Sequence, residues 1–403
     1  MIPHDHGLEM AMTPMPYVRV ITLSLCLAAA FGPAAGADTA LLREATGLTG
    51  VAMWLDSGAP AMVLVVVRGR DTLVQGYGET SKGNGEEPDG RSLLRIGSIS
   101  KVFTTELLAA MATLGALRLT DPLQQYAAAA VTVPRFGDRA ISLLDLATHS
   151  AGLPREIGEV PANTIPFTWP TEQQRWSFLA GYKLPWAPGT VAAYSNVGFD
   201  LLADALAEVG GKDYPELLRE RITGPLAMTD TGVRPTKEQC DRLITGSGIG
   251  GPGPCADTDA TAGSGGLYST GNDMARWLRH NLADSDPAGW LRHNLADSDP
   301  AGWPRLALAH AVYRQRQAMA AAIGFDEAGK MDGLALGWVV MAAHGRIPLI
   351  MQKSGGGGGF MSYIAVVPGR DVGLFIAVNR VDFTMFAGLT KAANELLASL
   401  APR

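Results

Sequence analysis

Long apolar runs are missing from this chain once its first residues are set aside, so nothing there approaches a membrane-spanning length. That absence removes a transmembrane anchor from the mature protein and leaves room only for peripheral membrane contact. A basic stripe is missing too. The formal net charge is −6, which argues against a nucleic-acid partner. None of the seven histidines falls in a His-Glu-x-x-His pattern, so no metal site is indicated and no cofactor is implied. The Gly-x-Ser-x-Gly elbow of one large hydrolase class is also absent. Gly246–Gly251 has the spacing of a dinucleotide loop, but no strand pattern precedes it and Pro252 and Pro254 follow.

Hydrophobic residues make up 47% of the 403 and charged ones 18%, the balance of a globular protein with a sizeable core. The length suits one large domain or two ordinary ones. Arg19 precedes an apolar run from Val20 to Phe31, followed by Gly32, Pro33 and the small-residue sequence Ala35-Gly36-Ala37. This is the pattern of an export signal over residues 1–37, cleaved after Ala37, with Met10, Met12 or Met15 as alternative starts. Leu25 before Cys26 speaks against a lipid-modified cysteine. Two cysteines then remain, Cys240 and Cys255. In an exported protein they are expected to close the Gly/Pro-rich loop as a disulfide, with two free thiols as the alternative.

Ala61–Val67 and Thr72–Tyr77 read as a hairpin, and Ser362–Val367 with Val372–Asn379 as another. Between them lie helical patterns at Ser142–His149, Phe199–Val209, Tyr214–Ile222 and Asn272–Leu282, and a last one at Phe383–Leu400. The expected fold is α/β in content (α+β): one antiparallel sheet drawn from both chain ends, flanked by helices, with a mainly helical region inserted. The segment Trp277–Gly289 is repeated without change as Trp290–Gly302. A single short tandem copy is not a solenoid, and the extra copy is expected to lengthen a surface connection.

Ser98 and Lys101 stand one helical turn apart at the head of a 3.6-residue apolar pattern expected to run to about Leu117. A hydroxyl needs a proton acceptor to become a nucleophile, and a desolvated lysine can be one. Tyr194-Ser195-Asn196 is the chain's one Tyr-x-Asn, and Lys353-Ser354-Gly355 its one Lys-Ser/Thr-Gly. The expected roles follow from side-chain chemistry. Ser98 is nucleophile, Lys101 its base, and Tyr194 a phenol, its ionised form stabilised if Lys101 and Lys353 flank it, that passes a proton to the leaving amine and later activates water. Asn196 orients Lys101 and a substrate carbonyl. Lys353 and Ser354 hold a substrate carboxylate, and Gly355 keeps the strand open to close approach. The N–H groups of Ser98 and Gly356 form an oxyanion hole. His149 reads as a helix-end or core histidine.

These three motifs, in this order, resemble the penicillin-recognising serine enzymes, and the tyrosine in the middle motif resembles the class C β-lactamases and small D-alanyl-D-alanine peptidases. Further likeness lies in Leu144–Leu153, Leu153–Glu156, Trp169–Trp176, Tyr194–Leu206, Gly224–Met228, the Cys240/Cys255 pair, Gly265–Thr270 and Lys353–Phe360, and covers essentially the whole mature chain. Within that superfamily it resembles the AmpH-type D-alanyl-D-alanine carboxypeptidase/endopeptidases. The resemblance implies a β-lactamase/transpeptidase-like catalytic domain over 38–403. It also implies a periplasmic enzyme acting on peptidoglycan peptides through an acyl-Ser98, with β-lactams as acylating agents. A class C β-lactamase and a penicillin-binding sensor with little turnover are the alternatives. Ser354 stands where threonine is usual, and the duplicated segment is one copy more than the family pattern.

Overall fold

The computed structural model describes residues 35–249, 251–283 and 302–401. Most of the expected export signal and nearly all of the second duplicated copy lie outside them. Ala37 falls in the first turn of helix α1 (Ala35–Ser57).

Strand β1 (Ala61–Arg68) is buried at every residue but its last. A strand apolar on both faces needs cover on both faces, because alternate side chains point to opposite sides. The sheet supplies that arrangement. Val63, Val65 and Val67 enter one core and Met62, Leu64 and Val66 another. Among the described residues the sheet has eight strands. In chain order these are β1, β2 (Asp71–Gly78), β3 (Arg314–Gln315), β4 (Gly333–Leu334), β5 (Val339–Met341), β6 (Ile350–Gly357), β7 (Phe360–Val367) and β8 (Val372–Val378). Their spatial order is β2-β1-β8-β7-β6-β5-β4-β3, and every neighbouring pair is antiparallel. Pairing of Met62 with Val378 and Arg68 with Val372 joins the two ends of the chain.

Helices cover both faces. On one side α1 packs against the C-terminal helix (Phe383–Leu400). Asp382 caps that helix by accepting the N–H groups of Thr384 and Met385 at 3.1 Å each. Its Phe386, Leu389, Ala393, Leu396 and Leu400 form a stripe turned inward.

On the other side lies α2 (Ser100–Thr113), buried from Ser100 to Met111. It ends at Thr113, short of the expected Leu117, and Gly115 beyond it adopts a left-handed φ of 74°. Around α2 are α3 (Leu143–Ala147), α4 (Glu172–Gly181), α5 (Asn196–Gly210), α6 (Tyr214–Leu218), α7 (Gly271–Leu282) and α8 (Gly302–His310). The C-terminal helix is therefore α9. Phe103 of α2 stacks on Trp277 of α7 at 3.9 Å. Buried Glu106 of α2 meets Arg305 Nε at 2.7 Å and His280 Nε2 at 2.9 Å. Three features meet at the seam between sheet and helices: the start of α2, the start of α5 and strand β6.

Candidate active site

The turn Gly97–Ile99 carries Ser98 into α2. Gly97 is left-handed, with φ of 51°, and a Cβ there would lie 2.6 Å from the backbone nitrogen of Gly356. Only glycine allows this strand and turn to approach so closely. Ser100 locks the turn from below, donating to the Gly97 carbonyl at 2.7 Å and accepting the Leu267 N–H at 3.1 Å.

Lys101 is wholly buried. Its Nζ lies 3.1 Å from Ser98 Oγ, 2.6 Å from Asn196 Oδ1 and 2.6 Å from the Ser264 carbonyl. The last two partners can only accept, so they hold two of the amine's hydrogens. A neutral Lys101 then turns its lone pair to the Ser98 hydroxyl. Burial pulls its pKa down; the Tyr194 phenolate opposes this and Lys353 adds to it.

Tyr194 lies between the two lysines. Its ring centre is 4.9 Å from Lys101 Nζ and 4.6 Å from Lys353 Nζ, and Lys353 donates to its oxygen at 3.1 Å. Burial favours the neutral phenol, but Lys101 and Lys353, with hydrogen bonds from Ser98 and Lys353, bring its pKa down from 10.0 to about 7. Lys353 lies on β6, opposite Ile364 of β7. Ser354 follows it and donates to Glu327 Oε2 at 3.2 Å. Gly355 is required by the chain itself. A Cβ there would strike the Ile96 carbonyl and the Ser362 hydroxyl, so the close approach comes from the protein's own chain. Gly356 stands opposite Met361 and against Gly97.

Asn196 opens α5 and donates its amide N–H to Glu156 Oε1 at 2.5 Å. One turn on, buried Asp200 accepts the backbone N–H and the hydroxyl of Ser264 at 2.9 Å each. Burial pushes its carboxyl up to about 7, against the pull of Arg175 and Lys101. Asp200 thus fixes the segment whose carbonyl holds Lys101. No role was expected from sequence for Asp200, Ser264, Glu156 or Glu327, although Glu156 and Asp200 lie in stretches that carry the family likeness. The available signal was helical spacing, which puts residue 200 on the face of residue 196.

Cys240 and Cys255 are bonded. The loop they close presents the Pro254 carbonyl to Arg95 Nη2 at 2.6 Å. Among the described residues no group of His, Cys, Asp and Glu is placed to hold a metal ion.

A desolvated lysine between a serine and an asparagine, faced by a tyrosine of low pKa, defines a serine hydrolase of the β-lactamase/transpeptidase fold. The beta-lactamase family model matches residues 40–398, and the chain belongs to that family. It is 42% identical over 344 residues to the D-alanyl-D-alanine-carboxypeptidase/endopeptidase AmpH of Escherichia coli K12, across 85% of this chain and 86% of that one. A beta-lactamase of Pseudomonas fluorescens is 25% identical across 80% of this chain and 89% of its own. The crystal structure of a beta-lactamase/D-alanine carboxypeptidase from Yersinia pestis, complexed with citrate, superposes with a TM-score of 0.82. That protein shares 40% identity and matches 92% of this chain and all of its own.

Proposed function

We propose that the chain is a D-alanyl-D-alanine carboxypeptidase/endopeptidase that cleaves peptidoglycan peptides through an acyl-Ser98 intermediate. The observation that carries this is Lys101, buried and held by two fixed acceptors with its remaining valence toward Ser98. The 42% identity to the Escherichia coli peptidase, against 25% to the Pseudomonas β-lactamase, supports the peptide as substrate.

In acylation Lys101 takes the hydroxyl proton as Ser98 Oγ bonds to the D-alanyl carbonyl carbon. The oxyanion that forms is met by the N–H groups of Ser98 and Gly356. The C–N bond then breaks, and Tyr194 delivers a proton to the departing amine. In deacylation Tyr194 takes a proton from water, whose oxygen attacks the ester, and Lys101 returns its proton to Ser98 Oγ as the ester bond breaks. Lys353 and Ser354 bind the substrate's terminal carboxylate, and Asn196 its acylamino carbonyl. Residues 38–403 form one catalytic domain, exported to the periplasm after loss of residues 1–37. The described helices include none long and apolar enough to cross a membrane.

Hydrolysis of β-lactams is the second reading, favoured by a tyrosine with a pKa of about 7, able to activate water at neutral pH. The two differ in how fast the penicilloyl ester is released, where ~1.4 kcal/mol is already tenfold. Purified protein labelled with a fluorescent penicillin, then assayed on a pentapeptide and a chromogenic cephalosporin, decides between them. Persistent label with peptide cleavage is expected. Rapid label loss with fast cephalosporin turnover would overturn the peptidase, and persistent label without peptide cleavage would leave a sensor. Ser98→Ala should abolish labelling altogether.

A further inference from the structure

His149 does more than fill the core. Its carbonyl accepts the Ala193 N–H at 2.8 Å, and its Nδ1 accepts the Ser195 N–H at 3.0 Å. Between those two contacts its ring stacks on Tyr194, with centroids 4.3 Å apart and planes 23° apart. Three consecutive residues, 193 to 195, are thus gripped by one. Phe199 at 4.6 Å and Phe325 at 5.4 Å box the imidazole from other sides. Ser195 in turn caps α5, accepting the Gly198 N–H at 2.9 Å and donating to the Pro154 carbonyl at 2.6 Å.

Two features of His149 are unfavourable on their own. Its backbone is left-handed, with φ of 53°, and its buried Nε2 has no hydrogen-bond partner among the described residues. Because Nδ1 accepts a backbone proton, the neutral ring must carry its own proton on Nε2. Burial, and then the cations Lys101, Lys353 and Arg155 that face it, keep the ring neutral. Phenylalanine would stack on Tyr194 without an orphaned proton but could not hold Ser195. Strain and an unmet donor coinciding against a reacting side chain point to function.

We propose that His149 is a positioning residue for acyl transfer, fixing Tyr194 at the depth where its hydroxyl meets Lys353 and Ser98. The inference rests on the acyl-Ser98 reading. The shape of the Tyr194-Ser195-Asn196 turn, and with it the placing of Asn196 on Lys101, depends on the same grip.

Two substitutions separate the parts of that grip. His149→Asn keeps an acceptor, tolerates a left-handed backbone and removes the ring. His149→Phe keeps a ring and removes the acceptor. Acylation by a fluorescent penicillin yields a saturating rate constant and an apparent binding constant for each, together with the alkaline limb of the pH profile. The saturating rate should fall about tenfold or more in His149→Asn, with binding changed by less than about twofold. The alkaline limb, where the donating phenol ionises, should move upward, because a phenol displaced from Lys353 holds its proton longer. A folded His149→Asn with the parent's rate and limb would overturn the proposal, as would an unchanged His149→Phe if the first variant does not fold. On the unaltered chain, ¹⁵N-histidine spectra should place the ring proton on Nε2 and show the ring signals move when Ser98 is acylated. Signals that stay fixed count against the role. Ser98→Ala keeps the two failures apart. If that variant still takes label, the acyl-Ser98 reading falls; if it does not and the His149 variants acylate normally, only the positioning role falls.

Discussion

Replacing Lys353 with methionine keeps a side chain of similar length and removes one of the two ammonium groups that act on Tyr194. The descent of the phenol from 10.0 to about 7 corresponds to ~4 kcal/mol of preference for the phenolate. Lys101 is the stronger cation, but Lys353 contributes both its charge and a hydrogen bond of 3.1 Å. Its loss should return roughly half of that preference, ~2 kcal/mol, and move the Tyr194 pKa up to ~8.5. Rates that need the phenolate should then be about 15-fold lower at neutral pH and recover in alkali. The assay is the first-order loss of the penicilloyl label across the pH range, the step in which Tyr194 takes a proton from water, and it separates this effect from weaker carboxylate binding. The parent should show an acid limb near 7 and Lys353→Met one near ~8.5. A limb that stays near 7 while only apparent affinity falls would refute the reasoning, and Lys353 would then serve the substrate carboxylate alone.

Glu327 accepts the hydrogen of Ser354 and so competes with a substrate carboxylate for that hydroxyl. Glu327→Ala should lower KM by about two- to fivefold for peptides ending in a free carboxylate and leave amidated ones unchanged. Cys240→Ser opens the fifteen-residue link to Cys255 and should cost ~3 kcal/mol in denaturant unfolding. Burial opposes ionisation of Glu106, but His280 and Arg305 outweigh it and hold the carboxyl below 4.5. The stability it contributes is therefore present above about pH 4.5 and lost as the pH falls through the lower folded value. Glu106→Gln should cost roughly 3–5 kcal/mol at neutral pH by leaving the buried Arg305 guanidinium facing an uncharged amide. It should also flatten the acid limb of stability. An unchanged melting temperature would count against it.

The parts of the fold legible in the sequence were those governed by local pattern. Both long hairpins and α9 lie where periodicity put them, because Ala61–Val67 and Val372–Val378 are apolar without break and Phe383–Leu400 carries a regular inward stripe. The short strands Arg314–Gln315 and Gly333–Leu334 gave no such signal. They are two residues each, and only the neighbouring strand edge makes them strands. The same division holds at the site. Ser98, Lys101, Tyr194, Asn196 and Lys353 were visible as motifs. Glu156 and Glu327 act through long-range hydrogen bonds that no spacing encodes. His149 was legible as a buried ring at the end of α3. Its hold on Tyr194 depends on a backbone turn that sequence pattern does not show.

The pairing of β1 with β8 also shapes how the molecule comes into being. The valine-rich strand is made early, yet one of its edges is completed only by residues 372–378, near the end of synthesis. Until then that edge offers open backbone groups along an apolar ribbon, a template for pairing with other chains. Contacts so distant in sequence also close slowly. A chain cut short before Val378 is therefore an aggregation-prone fragment, not a smaller enzyme.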